Sequence, residues 1–382
     1  MNKAFCIFSA NYLPNIGGVE KYTKNLAEQL IKEGDRAVVV TNNVFNLADW
    51  ETTLEGVDLV RLPCYPSLNG RYPIPKINAT YRSLMNRLLE IDCDYVMVNT
   101  RFYPHSLAGI RYAEQKGIRP ILLDHGSAHL TLGNKVIDIA VEFVEHATTV
   151  MVKKHSIDYY GVSQASLNWL KHFGIQGIGV LYNSIDASRF SADASCRDWR
   201  SELNVSDDTM LVSFTGRLIP EKGIEALLDA AKRVQGLDVH FALAGDGPQR
   251  EMVEGSGLSN LSALGRVEAN DIAALLKQSD VFCLPTRSEG FSTSLLEAAA
   301  CSTMPIVTHV GGVDELMPSS DYGIELSAAS GSEIAEAIAY LVKHPEEIKR
   351  RSNNIHQRVV QNFSWANTAA MVREACERAN AK

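Results

Sequence analysis

Short apolar runs, each followed by a helical pattern and then another apolar run, recur along nearly all of this 382-residue chain. This alternation restricts the available folds more than any other feature of the sequence. The runs Ala4–Ser9, Ala37–Thr41, Val57–Leu62, Tyr95–Asn99, Ile121–Asp124 and Tyr159–Val162 read as strands. Between the first two, Val19, Tyr22, Leu26 and Leu30 fall on one helical face, and Gly34 ends that helix. Strands separated by helices imply right-handed crossovers and a parallel sheet. The plan restarts after a break between Tyr182 and Asn204, with strands expected at Leu211–Thr215, Val239–Ala244, Val281–Leu284 and Pro305–Thr308. Helices are expected near Ile224–Val234, Asp271–Lys277 and Ser332–Lys343, and a last one from Ser364-Trp365 to Lys382. The expected fold class is α/β, with Rossmann-like domains over residues 1–184 and 185–363.

Bulk properties agree with that plan. The chain is longer than one core usually accommodates, and its 46% apolar and 21% charged residues are those of a globular protein. No apolar run approaches membrane-spanning length. Ala4–Ala10 is short and flows into a turn at Gly17-Gly18, so it reads as a core strand and not as a leader. Seven cysteines without a Cys-x-x-Cys pair argue against a disulfide framework or zinc ribbon and for a reducing cytoplasm. The net charge is -8. Through Ser184 there are 18 Lys+Arg and 17 Asp+Glu, which leaves 37 − 18 = 19 and 45 − 17 = 28 for the remainder. The N-terminal part is therefore +1 and the C-terminal part -9, and no nucleic-acid partner is expected.

The most informative stretch is Asp280–Pro305: a buried strand, a glycine-containing loop and a helix. In an open parallel sheet the ligand crevice lies at the carboxyl ends of the strands, where the loop after Leu284 emerges. Glu289 precedes the helix and Glu297 lies in or near its first turns. Two such carboxylates can each take a pair of vicinal hydroxyls, one on a pyranose and one on a ribose. The backbone N–H groups of Gly290, Phe291, Ser292 and Thr293 can face a phosphate or sugar oxygen. The competing reading makes Ser294-x-x-Glu297 a capping box and Glu289 a loop acid. From the sequence both stay open.

Other strand-end loops carry chemistry of the same kind. Gly17-Gly18-Val19-Glu20 opens the first helix and lets phosphate approach the backbone. Asp124-His125-Gly126 puts an imidazole at the ligand edge, and Arg101 and Tyr103, after another strand, share that edge as acceptor contacts. Arg217 and Lys222, in Gly216-Arg217-Leu-Ile-Pro-Glu221-Lys222-Gly223, offer a planar fork and a point charge for a diphosphate. Gly245-Asp-Gly247-Pro248 lacks the third glycine of a dinucleotide fingerprint, so it does not indicate NAD. Asp92-Cys-Asp94 has carboxylate spacing suited to a metal, but it precedes its strand and reads as a solvated turn. No other metal cluster is expected.

Gly-Gly-Val-Glu20, Asp-His125-Gly, Gly161-Val-Ser163, Gly-Arg217-(four residues)-Lys222-Gly, Ala244-Gly-Asp-Gly247 and Glu289-(seven residues)-Glu297 occur in this order. Together they resemble the family-four retaining glycosyltransferases of the GT-B fold, of the bacterial surface-polysaccharide or lipopolysaccharide type. The resemblance implies an active site in a cleft between two Rossmann-like domains and a terminal segment, 364–382, that crosses back onto the first. It implies that Arg217 and Lys222 hold the donor diphosphate, Glu297 the ribose, and Glu289 the donor sugar, helped by the backbone near Phe291 and Ser292. Gly18 would touch the phosphate and His125 the transferred sugar. No cofactor or metal is implied. Two departures stand out: Asn183-Ser184-Ile-Asp186 in place of Asn-Gly-Val-Asp, and one extra residue in Cys301-Ser-Thr-Met-Pro305, which leaves the loop beside the nucleotide open.

The resulting expectation is a retaining, metal-independent hexosyltransferase, with UDP preferred over GDP. Its acceptor would be a growing glycan, lipid-linked at the cytoplasmic membrane face, in O-antigen or capsule assembly. Residues Arg71–Leu89 mix basic, aromatic and apolar side chains and fit either an anionic membrane surface or an amphipathic helix packed on the sheet. The rival readings are a same-fold phosphorylase or epimerase, and a catalytically silent sugar-nucleotide-binding protein.

Overall fold

A computed structural model describes residues 2–129 and 135–381. The backbone divides into two compact units, Met1–Asn183 together with Trp365–Lys382, and Ser184–Ser364.

The strands of the first unit are β1 (Ala4–Phe8), β2 (Arg36–Asn42), β3 (Trp50–Thr52), β4 (Asp58–Leu62), β5 (Cys64–Tyr65), β6 (Ile74–Pro75), β7 (Tyr95–Asn99), β8 (Ile121–Asp124), β9 (Asp158–Gly161) and β10 (Gly179–Val180). Eight of them form one sheet in the order β10-β9-β8-β7-β1-β2-β4-β3, and β5 pairs with β6 in a separate hairpin. Among the described residues of the large sheet only β3 runs antiparallel. Phe5–Phe8, Val38–Val40, Val96–Val98 and Ile121–Leu123 are buried on both faces, which is why each reads as an uninterrupted apolar run. The helices are α1 (Gly18–Lys32), α2 (Ala79–Glu90), α3 (Pro104–Gln115), α4 (Lys135–Val152) and α5 (Gln164–Leu170). α1 buries Tyr22, Leu26 and Leu30 and stops at Gly34, which adopts φ +91.

The second unit contains β11 (Met210–Thr215), β12 (Val239–Ala244), β13 (Leu261–Gly265), β14 (Val281–Leu284), β15 (Met304–Thr308) and β16 (Ile324–Leu326). All pair in parallel, in the order β13-β12-β11-β14-β15-β16. Strand order reverses between β11 and β14, the topological switch point at which a doubly wound sheet opens a crevice for ligands. In the first unit the reversal falls between β1 and β7.

The terminal helix Trp365–Asn380 belongs to the first unit; Lys382, where the sequence reading ended it, lies outside the described residues. Trp365 meets the buried Tyr22 ring edge-on at 5.4 Å, and Arg373 bonds Asp35 at 2.7 Å and Glu33 at 2.5 Å. Among the described residues no helix is long and apolar enough to cross a membrane. Removing a large buried aromatic costs transfer energy and leaves a cavity. Trp365→Ala is therefore expected to destabilise the first unit by about 3 kcal/mol, measured as a loss in urea unfolding.

Candidate active site

Three loops at the carboxyl ends of β11, β14 and β15 are laced together by hydrogen bonds. The carbonyl of Glu221, in the single turn Pro220–Lys222, accepts from the Arg287 amide at 2.7 Å and the Thr286 hydroxyl at 3.0 Å. The Thr308 hydroxyl in turn donates to the Thr286 carbonyl. This lacing brings Lys222 Nζ onto Glu289 Oε1 in a half-buried ion pair. Arg217 stands exposed on the same β11 loop, and among the described residues its guanidinium has no partner. An unengaged fork, a paired lysine and a helix start thus share one switch point. Such a set matches a diphosphate carrying a sugar.

The helix Thr293–Ala300 settles the capping question. Its N-cap is Ser292, whose hydroxyl accepts from the Leu295 amide at 3.2 Å. Ser294 lies inside the first turn, so Ser294-x-x-Glu297 is not a capping box. Glu297 is half-buried one turn further along. Phe291 is buried against Phe363, with ring centres 5.7 Å apart, and this anchors the loop just after Glu289 and Gly290. Sequence reasoning missed Gly311-Gly312. At Gly311, φ is +63 and an added Cβ would come within 2.8 Å of the Glu289 Cβ; at Gly312 it would enter the Phe291 ring. Only glycine lets the β15 loop close beneath Glu289. The strand-to-glycine spacing Thr308-His-Val-Gly-Gly was the available signal.

In the first unit, Gly17 is the N-cap of α1 and the space beside Gly18 is open, while the Glu20 carboxylate folds back over Gly17. Burial raises the Glu20 carboxyl above its ordinary range. Thr23, on α1, accepts from Asn99 Nδ2 at 2.8 Å, and the Asn99 Oδ1 faces His125 Nε2 at 3.0 Å. The Tyr22 ring lies edge-on to His125 at 5.0 Å. Enclosure depresses the imidazole to about 3, so His125 is neutral near pH 7 and Nε2–H donates to Asn99. This leaves Nδ1 as its acceptor. A neutral imidazole fits hydrogen bonding to a sugar hydroxyl better than pairing with a phosphate.

Arg101 requires a correction. It is expected at the ligand edge as an acceptor contact, but its side chain is fully buried, ion-paired to Asp124 and Glu145 and stacked over Phe173 at 3.8 Å. Thr100, just before it, holds the left-handed conformation at φ 65 and turns the chain at that point. A β-branched residue there stores about 1–3 kcal/mol of strain, and neither feature is legible from the sequence. Tyr103 keeps its place at the edge: it is half-buried, it stacks on Tyr72 at 5.3 Å, and its hydroxyl bonds the Arg71 carbonyl at 3.2 Å.

Of the two readings open for Arg71–Leu89, the packed amphipathic helix is the one observed. In Arg71–Leu89, α2 buries Tyr81, Leu84 and Leu88 in the core while Arg87 stacks on Trp50 at 3.9 Å. Its apolar face is thus spent on the sheet, and the exposed apolar groups of that region are Tyr65, Leu68, Ile74 and Ile77, around the β5–β6 hairpin. The extra residue at Cys301–Pro305 lies in the turn that leads into the amino end of β15, opposite Glu289, because the preceding helix runs antiparallel to the strands. No further metal cluster is legible in the sequence, because the candidate groups lie on separate segments. Folding gathers His129, His146 and His172, and at the surface His309, Asp314 and Glu325. Asp94, in contrast, accepts from the Ala4 amide at 2.8 Å at the amino edge of β1.

Comparison with known proteins places both halves of the chain among glycosyltransferases. Residues 16–189 match the family described as Glycosyltransferase Family 4, and residues 196–358 match Glycosyl transferases group 1. A glycosyltransferase of Methanocaldococcus jannaschii is 25% identical, covering 97% of each chain. The gpi3 subunit of the Schizosaccharomyces pombe phosphatidylinositol N-acetylglucosaminyltransferase is 24% identical over 94% of this chain and 77% of its own length. The solved structure of Anabaena HepE in complex with UDP-glucose superposes with a TM-score of 0.72 at 18% identity, covering 98% of this chain and 99% of that one.

The two arginines make a direct contrast. Arg101→Ala leaves the buried Asp124 carboxylate without its ion-pair partner and Glu145 with His129 alone, and should cost about 3–5 kcal/mol. Arg217→Ala should stay within about 0.5 kcal/mol, with both read from urea midpoints.

Proposed function

Since this chain belongs to the glycosyltransferases of the GT-B fold, we propose that it is a retaining hexosyltransferase that takes its sugar from a UDP-sugar and needs no metal ion for the transfer. The observation that carries the reading is the Lys222–Glu289 pair beside the exposed Arg217 at the switch point of the second unit. In the reaction, Lys222 and Arg217 take the diphosphate, and Glu289, released from Lys222, takes hydroxyls of the donor sugar. Glu297 takes the ribose hydroxyls, and the amides from Gly290 to Thr293 lie at the helix start that faces the anionic group. The leaving group needs its developing negative charge stabilised, and two cations with a helix N-terminus supply that without a metal. Neutral His125 accepts a hydroxyl of the transferred sugar, and Gly18 leaves room for phosphate on its side.

UDP is the preferred nucleotide because HepE, a fold neighbour, was solved with UDP-glucose. The acceptor is a lipid-linked glycan or lipid headgroup. The yeast relative acts, by its name, on phosphatidylinositol, and the exposed apolar hairpin with Arg71 and Lys76 suits peripheral contact with an anionic cytoplasmic leaflet. Tyr103 and Tyr72 offer aromatic surface for an acceptor sugar. Bacterial O-antigen or capsule assembly is one setting for such a reaction, and an archaeal or eukaryotic-type lipid glycosylation is another.

The test is donor turnover with EDTA present. UDP should raise the melting temperature of the wild type and not of Glu297→Ala. NMR should show the transferred or slowly hydrolysed sugar with its anomeric configuration retained, and Glu289→Ala should lower kcat by about 10²–10³. An inverted product, or a UDP shift that appears only with added divalent metal, would overturn the reading.

A further inference from the structure

The histidine cluster of the first unit lies outside the proposed donor chemistry. His129 comes from the loop after β8, His146 from α4, and His172 from the turn Lys171–Phe173 that follows α5. Their ring centres form a nearly equilateral triangle: 5.5 Å between His129 and His146, 5.2 Å between His129 and His172, and 5.3 Å between His146 and His172. Three imidazoles around one tetrahedral zinc, with Zn–N near 2.0–2.1 Å, would place their ring centres roughly 5 Å apart. Packing alone does not require that symmetry.

Carboxylates complete the arrangement. Glu142, one helical turn before His146, places Oε1 at 3.4 Å from His129 Nε2 and 4.0 Å from His146 Nε2. Ligand atoms on neighbouring corners of a tetrahedral zinc site stand about 3.3 Å apart, so Glu142 is positioned as a fourth ligand. Glu145, buried and held by Arg101, binds His129 Nδ1 at 2.8 Å. That is the role of an outer carboxylate that fixes a liganding imidazole with its Nε2 turned toward the metal. Trp169 lies flat on His172 at 4.7 Å and edge-on to His129 at 4.8 Å, and Phe173 meets the His129 and His146 rings at 5.9 and 4.8 Å, giving the cluster an apolar wall.

We propose that His129, His146, His172 and Glu142 bind a divalent transition-metal ion of the zinc class. Imidazole with one carboxylate suits Zn²⁺, Co²⁺ or Ni²⁺ and not Mg²⁺ or Ca²⁺. The ion ties the β8 loop, which carries His125 four residues earlier, to α4 and to the turn after α5. Its role is to fix that loop, and it takes no part in the transfer step. The inference rests on the first unit alone and is independent of the donor assignment.

The test uses the full-length protein freed of metal by EDTA and then dialysed. Titration with Co²⁺ should give one equivalent of binding with the intense visible band of four-coordinate cobalt, and Zn²⁺ should displace it. His172→Ala, on the exposed turn, and Glu142→Gln, on an exposed helix face, should weaken Co²⁺ binding at least about 10-fold. Their melting temperatures in EDTA should match the wild type, which separates loss of a ligand from loss of fold. Uptake by the wild type no greater than by His146→Ala/His172→Ala, or a weak six-coordinate cobalt spectrum, would overturn the proposal.

Discussion

The half-buried pair between Lys222 and Glu289 is the interaction on which the donor side of this protein depends. Both groups sit at the end of a parallel sheet where desolvation makes an isolated charge costly, and each neutralises the other. The lacing through Glu221, Thr286 and Thr308 holds the two loops in register, and Gly311-Gly312 lets the third loop close underneath. A ligand that separates the pair must offer negative charge to Lys222 and hydroxyl donors to Glu289 at once. A nucleoside diphosphate sugar carries both on adjacent parts, and this is the chemical basis of the proposed specificity. A free phosphate or a free sugar meets only half of the demand.

The first unit is organised by a different network. Arg101, Asp124 and Glu145 form a buried ionic triad beneath the carboxyl edge of the sheet, and His125 follows directly after Asp124. Thr23 of α1 holds Asn99 at the end of β7, Asn99 fixes the His125 ring, and Tyr22, with Trp365 behind it, packs on that ring. The C-terminal helix is thus part of the support of that imidazole. On its other side, Glu145 reaches His129, so the triad links the loop carrying His125 to the histidine cluster. Breaking the triad would disturb the edge of the sheet without touching a substrate.

The central strands were legible because they are buried on both faces, and burial on both faces writes an unbroken apolar run. β13 was not, since Leu261–Gly265 is only half-buried and contains a serine and a glycine; β16, with three residues at the sheet edge, was too short to signal. The charged groups Arg217, Lys222 and Glu289 could be placed because they lie close to strand ends, and strand ends define the crevice. Arg101 misled for the same reason. Its position at a strand end is real, but its partners Asp124 and Glu145 come from distant segments, and nothing local in the sequence announces that they surround it. The histidines are equally scattered, and only the fold brings them together. At α2 the amphipathic pattern was correct, and the structure decides which surface the apolar face meets.

The account stands on the claim that Glu289 occupies Lys222 until the donor's diphosphate replaces it. The measurement that bears on this most directly is the affinity of UDP, without sugar, for wild type and Glu289→Gln by calorimetry. If the pair is the latch, the neutral amide frees Lys222 and UDP binds more tightly to the variant, even as sugar transfer falls. Equal or weaker UDP binding by Glu289→Gln would contradict the claim.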